Sequence, residues 1–169
     1  MKKVLLVALA LLVLAVSVAA AEGEVKIGQT QYAAHGTKCF AVLTVAMQGD
    51  VIADAYIDEY QFMAEGSIGV PNSEADFGQS FPEGKVLASK KVNAESYSAN
   101  MAAKAGSTVS LADNYAAIED FVTGKTIAEV EAAFEGKTAE EAVDVVSGCT
   151  LVDTLGYVKG LVEAAKAAK

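Results

Sequence analysis

The stretch Phe40-Ala41-Val42-Leu43-Thr44-Val45-Ala46-Met47-Gln48-Gly49-Asp50-Val51-Ile52-Ala53-Asp54-Ala55-Tyr56-Ile57-Asp58-Glu59-Tyr60 decides how this chain is read. Two runs rich in Val, Ile, Tyr and Phe flank Gln48-Gly49-Asp50, which predicts a β-hairpin with a short Gly-containing turn. On the second arm Ile52, Asp54, Tyr56, Asp58 and Tyr60 alternate with Val51, Ala53, Ala55, Ile57 and Glu59. One face therefore belongs to the core and the other meets solvent at least in part.

Outward from the hairpin, residues 64–85 turn to Gly, Pro, Ser, Asn and acidic residues, a loop long enough to be a candidate lid. The segment 86–97 has room for a further strand, and the rest reads as helix with clear punctuation. Ser110 caps a helix from Leu111 to Thr123 that Gly124 stops. Thr126-Ile127-Ala128-Glu129 and Thr138-Ala139-Glu140-Glu141 are capping boxes opening two more. A last helix runs from Asp153 to Ala168, with Leu155, Val158, Leu161, Val162 and Ala165 as its apolar stripe. Strands come early and helices late. The expected fold is α+β, an antiparallel sheet or half-barrel with an early hairpin, packed by C-terminal helices.

At the N-terminus Lys2 and Lys3 precede the apolar run Val4 to Val16 and then Ser17-Val18-Ala19-Ala20-Ala21. This is the three-part pattern of a secretory signal over residues 1–21, with cleavage after Ala19 or Ala21 and a periplasmic or extracellular product. A spanning helix needs roughly 20 apolar residues, and no other run approaches that, so membrane insertion of the mature chain is not expected. Residues 22–169 then form a single domain with enough chain for a core. Without Lys2 and Lys3, eleven lysines face 22 acidic groups, a formal charge of −11, and no arginine occurs anywhere. Such a surface repels phosphate backbones, which disfavours nucleic-acid binding.

Two cysteines, Cys39 and Cys149, lie far apart in sequence. An oxidising compartment permits a bridge, and two buried free thiols are the equal alternative. One histidine, His35, and two distant cysteines do not give metal-ligand spacing, so no metal site is expected. His35 with Asp58 or Glu59 is a candidate proton relay or binding patch if the open end of the hairpin brings them together. A hydrolase is disfavoured because no nucleophile pairs with a base.

The segment Asp144-Val145-Val146-Ser147-Gly148-Cys149-Thr150 delivers the chain to a helix N-terminus. Its amides and hydroxyls can form a phosphate cradle, and by composition alone an ordinary helix connection is the stronger reading. The segment resembles, however, the Asp-x-x-Ser/Thr-Gly-Ala-Thr motif of FMN-binding domains, found in exported flavoproteins and in flavin-bearing subunits of bacterial respiratory complexes. Asp144, Ser147, Gly148 and Thr150 fall on that motif, and Cys149 stands where the family usually has Ala. The resemblance implies FMN joined by its phosphate to the Thr150 hydroxyl by a flavin transferase. It also implies a redox carrier rather than a turnover enzyme, passing electrons to an unknown, membrane-associated partner. The hairpin and the helix after the motif, Gly156 to Ala165, look like that domain more loosely. The isoalloxazine ring needs an apolar or aromatic wall, for which Tyr32, Phe40, Tyr56, Tyr60, Phe62 and Tyr157 are the available side chains. A non-redox binding or interaction domain of the same fold, with no flavin, is the alternative.

Overall fold

A computed structural model describes residues 23–36 and 38–169. The signal expected over residues 1–21 lies outside the described residues. Four strands, β1 (Val25–Tyr32), β2 (Cys39–Gln48), β3 (Val51–Ala64) and β4 (Lys85–Ser89), form one open antiparallel sheet in the order β1-β2-β3-β4. Five helices follow: α1 (Ala94–Ala105), α2 (Leu111–Val122), α3 (Ile127–Phe134), α4 (Ala139–Val143) and α5 (Thr154–Lys166). The α+β expectation holds, and the sheet stays open rather than closing toward a barrel.

The hairpin forms where its composition places it, with Gln48 paired to Val51 across the Gly49-Asp50 turn. Strict alternation on β3 does not hold. Ala46 pairs with Asp54 and Met47 with Ile52, so Ala53 is an extra residue in a β-bulge. The bulge moves Ile52 to the side of Ala55, Ile57 and Glu59, all buried with Ala41, Leu43, Val45 and Met47 of β2. That face receives the helices. The other carries Phe40, Tyr56, Tyr60 and Phe62 toward solvent, with Phe40 stacked on Tyr60 at 5.7 Å.

Strand β1 was not expected, because its side toward the helices bears Lys26, Gly28, Thr30 and Tyr32 in place of an apolar stripe. Gly28 explains the exception. A Cβ there would stand 1.9 Å from the Ala164 carbonyl oxygen, and one on Gly160 would stand 2.1 Å from Leu43 Cδ1. With no side chain at either place α5 lies directly on β1 and β2. Helix α5 is buried on a broader arc than a single stripe, including Tyr157, Val158, Leu161, Val162, Ala164 and Ala165, because α3 and α4 cover its other flank. Each such large side chain contributes about 1.5–3 kcal/mol on burial.

The helix signals hold. Ser110 accepts a hydrogen bond from the Asp113 N–H, and both capping boxes close reciprocally through Glu129 and Glu141. Helix α1 is a further addition to the expected set; none of its side chains is fully buried, so it carries little apolar period. The 64–85 loop is not a lid over the cleft described below. It is pinned to β4 and the start of α1, with Val70 N–H donating to the Leu87 carbonyl and Ile68 exchanging two bonds with the Asn93 side chain. No helix among the described residues is long and apolar enough to cross a membrane.

Candidate functional site

Four chain segments converge beyond the end of the sheet: the β1–β2 connection, the β4–α1 junction, α1 with its connection into α2, and the loop from Cys149 into α5. They enclose a cleft of about 460 Å³ whose walls include His35, Lys90, Tyr97, Thr150, Asp153 and Tyr157, with Met101, Leu111 and Leu151 as apolar lining. Three residues singled out in the sequence, Thr150, Tyr157 and His35, therefore share one site.

Thr150 is exposed and held from behind by Asn114 of α2. The Asn114 Oδ1 accepts the Thr150 backbone N–H at 2.6 Å and its hydroxyl at 3.3 Å. Asn114 is itself fixed, because its Nδ2 donates to the carbonyl oxygens of Ser110 at 2.8 Å and Val109 at 3.3 Å. The Thr150 hydroxyl is thus placed by a buried, fully engaged amide. Nothing local in the sequence around Thr150 signals Asn114.

The rest of the motif divides. Cys149 is buried behind the cleft, its sulfur 3.1 Å from Thr154 Oγ1. Asp144 is the exposed C-cap of α4, and Ser147 and Gly148 line a separate shallow depression with Asp113 and Asp120. Gly148 is needed for its backbone, at φ 86°, since open space surrounds its Cα apart from Ala117 Cβ. The expected phosphate cradle is corrected here: the Cys149 N–H donates to the Val146 carbonyl and the Thr150 N–H to Asn114, so two of its amides are already satisfied within the protein.

His35 pairs with neither Asp58 nor Glu59. Its Nδ1 contacts the Asp153 carboxylate at the start of α5, while Asp58 accepts the Ser89 hydroxyl at 2.6 Å. The two cysteines are free thiols: Cys39 donates to the His35 carbonyl, in a setting separate from that of Cys149. Of the aromatic candidates only Tyr157 reaches the cleft. Tyr97, from α1, supplies the second ring, whereas Phe40, Tyr56, Tyr60 and Phe62 belong to the opposite sheet face and Tyr32 to a groove between α3 and α5.

Beneath the cleft is a buried polar cluster. The Glu59 Oε2 accepts from Lys90 Nζ at 2.5 Å, from the Tyr157 hydroxyl at 2.8 Å and from the Tyr115 hydroxyl at 3.4 Å. The Lys90 and Glu59 side chains are 2 % and 0 % exposed. Burial works against the Lys90 charge, but the hydrogen bond and opposite charge of Glu59 prevail and hold it above the ordinary lysine value. Burial, reinforced by surrounding negative groups, pushes both tyrosines upward, so they remain O–H donors. The Cys39 thiol, 3.7 Å from Lys90 Nζ, is raised to about 11 by burial and by Glu59, against the opposing pull of Lys90. Among the described residues no group of three His, Cys, Asp or Glu is placed to hold a metal ion.

Compared with known proteins, the chain matches no family model, no curated protein and no solved structure. The site's chemistry therefore rests on its own geometry.

Proposed function

We propose that this chain is an exported redox carrier that holds FMN covalently through Thr150. The observation that carries the reading is the exposed Thr150 hydroxyl at the wall of a cleft, fixed by Asn114. The residues present fit the group. A cleft of about 460 Å³ falls in the range used for cofactors, and its walls combine apolar side chains with Tyr97, Tyr157 and a buried cation. When bound, FMN supplies one- and two-electron transfer.

Attachment forms a bond from Thr150 Oγ1 to phosphorus as the hydroxyl proton leaves. The donor is a flavin dinucleotide, whose pyrophosphate bond breaks to release a nucleoside monophosphate. Asn114 orients the hydroxyl but takes up no proton, so a separate flavin transferase has to supply the base. Tyr97, Met101 and Leu151 line the cleft and would keep water from a bound ligand, and Asp153 holds the His35 ring at the rim. The secretory pattern over residues 1–21 supports covalent attachment, since a diffusible cofactor is lost outside the cell membrane.

The placement of Asp144, Ser147 and Gly148 outside the cleft favours a second reading, a non-redox ligand-binding or interaction domain with no flavin. One experiment separates the two. The chain is co-expressed with a flavin transferase and exported, and its intact mass and visible spectrum are measured. A mass gain equal to FMN that disappears in Thr150→Ala supports the carrier. A colourless, unmodified product under those conditions leaves the second reading.

A further inference from the structure

The cluster beneath the cleft is more expensive than the fold requires. A buried ion pair is often no more stable than well-packed apolar side chains of the same volume. Here Lys90 and Glu59 are both withdrawn from water, and the sharing of contacts is lopsided. Three donors converge on Glu59 Oε2, while Oε1 is buried with no partner among the described residues. The two tyrosine hydroxyls thereby fix the same carboxylate oxygen that holds Lys90. The Lys90 ammonium makes its one charged contact to that shared oxygen; beyond it stand the Cys39 thiol at 3.7 Å and the Tyr97 ring with its centroid 5.0 Å away. It also lines the cleft, so its residual positive field acts on whatever occupies that space. Among the described residues no other cation lines the cleft with its side chain so deeply buried.

We propose that Lys90 is a ligand-binding residue, selecting planar heteroaromatic ligands whose ring edge carries carbonyl oxygens and becomes anionic, with Glu59, Tyr115 and Tyr157 as positioning residues. This deepens the flavin reading, on which its choice of ligand rests. Reduction of an isoalloxazine followed by loss of a proton leaves negative charge on such an edge, and a buried ammonium favours that state over the neutral oxidised one. The tyrosines fix Glu59 Oε2, and through it the ammonium, at the cleft wall. Opposite consequences are therefore expected from removing the cation and from removing its counter-charge.

The test uses the chain produced without a transferase, and riboflavin as probe, so that neither covalent attachment nor phosphate contributes. Dissociation constants are measured anaerobically by fluorescence or calorimetry for oxidised and dithionite-reduced riboflavin at mildly alkaline pH. The reduced form is expected to bind about tenfold or more tightly than the oxidised form. Lys90→Met abolishes that preference, and Glu59→Gln preserves or enlarges it. Because Lys90→Met strands a buried carboxylate, the double variant Glu59→Leu/Lys90→Met, apolar at both places, provides a folded counterpart that must show the same loss. Equal binding of both forms by the unaltered chain, no binding of either form, or an unchanged preference in the double variant overturns the proposal. A mass gain at Thr150 with no Lys90 effect sinks this inference and leaves attachment standing; a Lys90-dependent preference without a mass gain does the reverse.

Discussion

Cys39 illustrates how a side chain's chemistry is set by what its neighbours do to its charge. Its sulfur lies beside the buried ion pair, 3.7 Å from Lys90 Nζ, and burial together with Glu59 raises the thiol from the ordinary 9.0 to about 11. The thiolate fraction near neutral pH falls by about a hundredfold, and with it the rate of alkylation. Native-state labelling with iodoacetamide, read by peptide mass, should find Cys39 about two orders of magnitude slower than a free cysteine at neutral pH. The rate should rise with pH until near 11. Glu59→Gln removes one of the raising causes and should speed the reaction; an unchanged rate in that variant would show that Glu59 does not act on the thiol, and labelling at the free-cysteine rate in the unaltered chain that the thiol is not raised. At this scale the sequence was partly legible. Glu59 shares its parity with Ala55 and Ile57, so the alternation already placed a carboxylate on an apolar face, where it requires a buried partner. Lys90 was not legible, because Lys90-Lys91 reads as a solvated pair, and only the turn from β4 into α1 folds the first of them inward while Lys91 goes to Glu119. Asn114 was hidden for a related reason: its role comes from contact with Thr150, 36 positions away.

The elements that could be read are those whose signals are local. Ser110, Thr126 and Thr138 each satisfy an amide three residues ahead, so their helices start where the caps stand whatever the tertiary contacts. Elements defined by long-range contact could not be read this way. The Ala53 bulge is imposed where β3 also meets Gly124 and Lys125, whose backbone groups bond both the N–H and the carbonyl of Ile52. Strand β1 is held by an approach of α5 so close that its central position must be glycine. Gly28→Ala would set a methyl group 1.9 Å from the Ala164 carbonyl oxygen and 2.8 Å from the Ala168 nitrogen, both backbone atoms that move only with the helix. A loss of about 2–3 kcal/mol is expected from urea unfolding, against less than about 0.5 kcal/mol for Lys26→Ala on the same strand. Equal midpoints for the two variants would mean that α5 does not rest on β1. Since α5 also carries Tyr157 into the cleft, the glycine alanine exchange should weaken ligand binding along with stability.

The whole molecule sets two electrostatic scales against each other. The sequence carries a formal charge of −9, or −11 without residues 1–21, on a surface with no arginine. Long-range attraction is therefore unfavourable for any phosphate-bearing ligand. The cleft, by contrast, has a cation in its wall whose side chain is 2 % exposed. Salt distinguishes the two, because exposed charges lose their mutual influence beyond a Debye length, about 30 Å at 0.01 M and about 8 Å at 0.15 M, while a buried charge is screened far less. Riboflavin is uncharged when oxidised, so its affinity should be nearly independent of ionic strength. FMN differs only by its phosphate. If the acidic surface governs its approach, the association rate of FMN with the unmodified chain should rise severalfold between those salt concentrations, while its dissociation rate stays nearly constant. Stopped-flow fluorescence on the two flavins in parallel measures the difference directly. An FMN association rate that falls with salt would require an exposed cationic patch where the phosphate binds, strong enough to overcome the net charge. Lys90, buried under the ligand, does not meet that requirement, so this outcome would move the phosphate away from the Thr150 wall and remove the basis for attachment there.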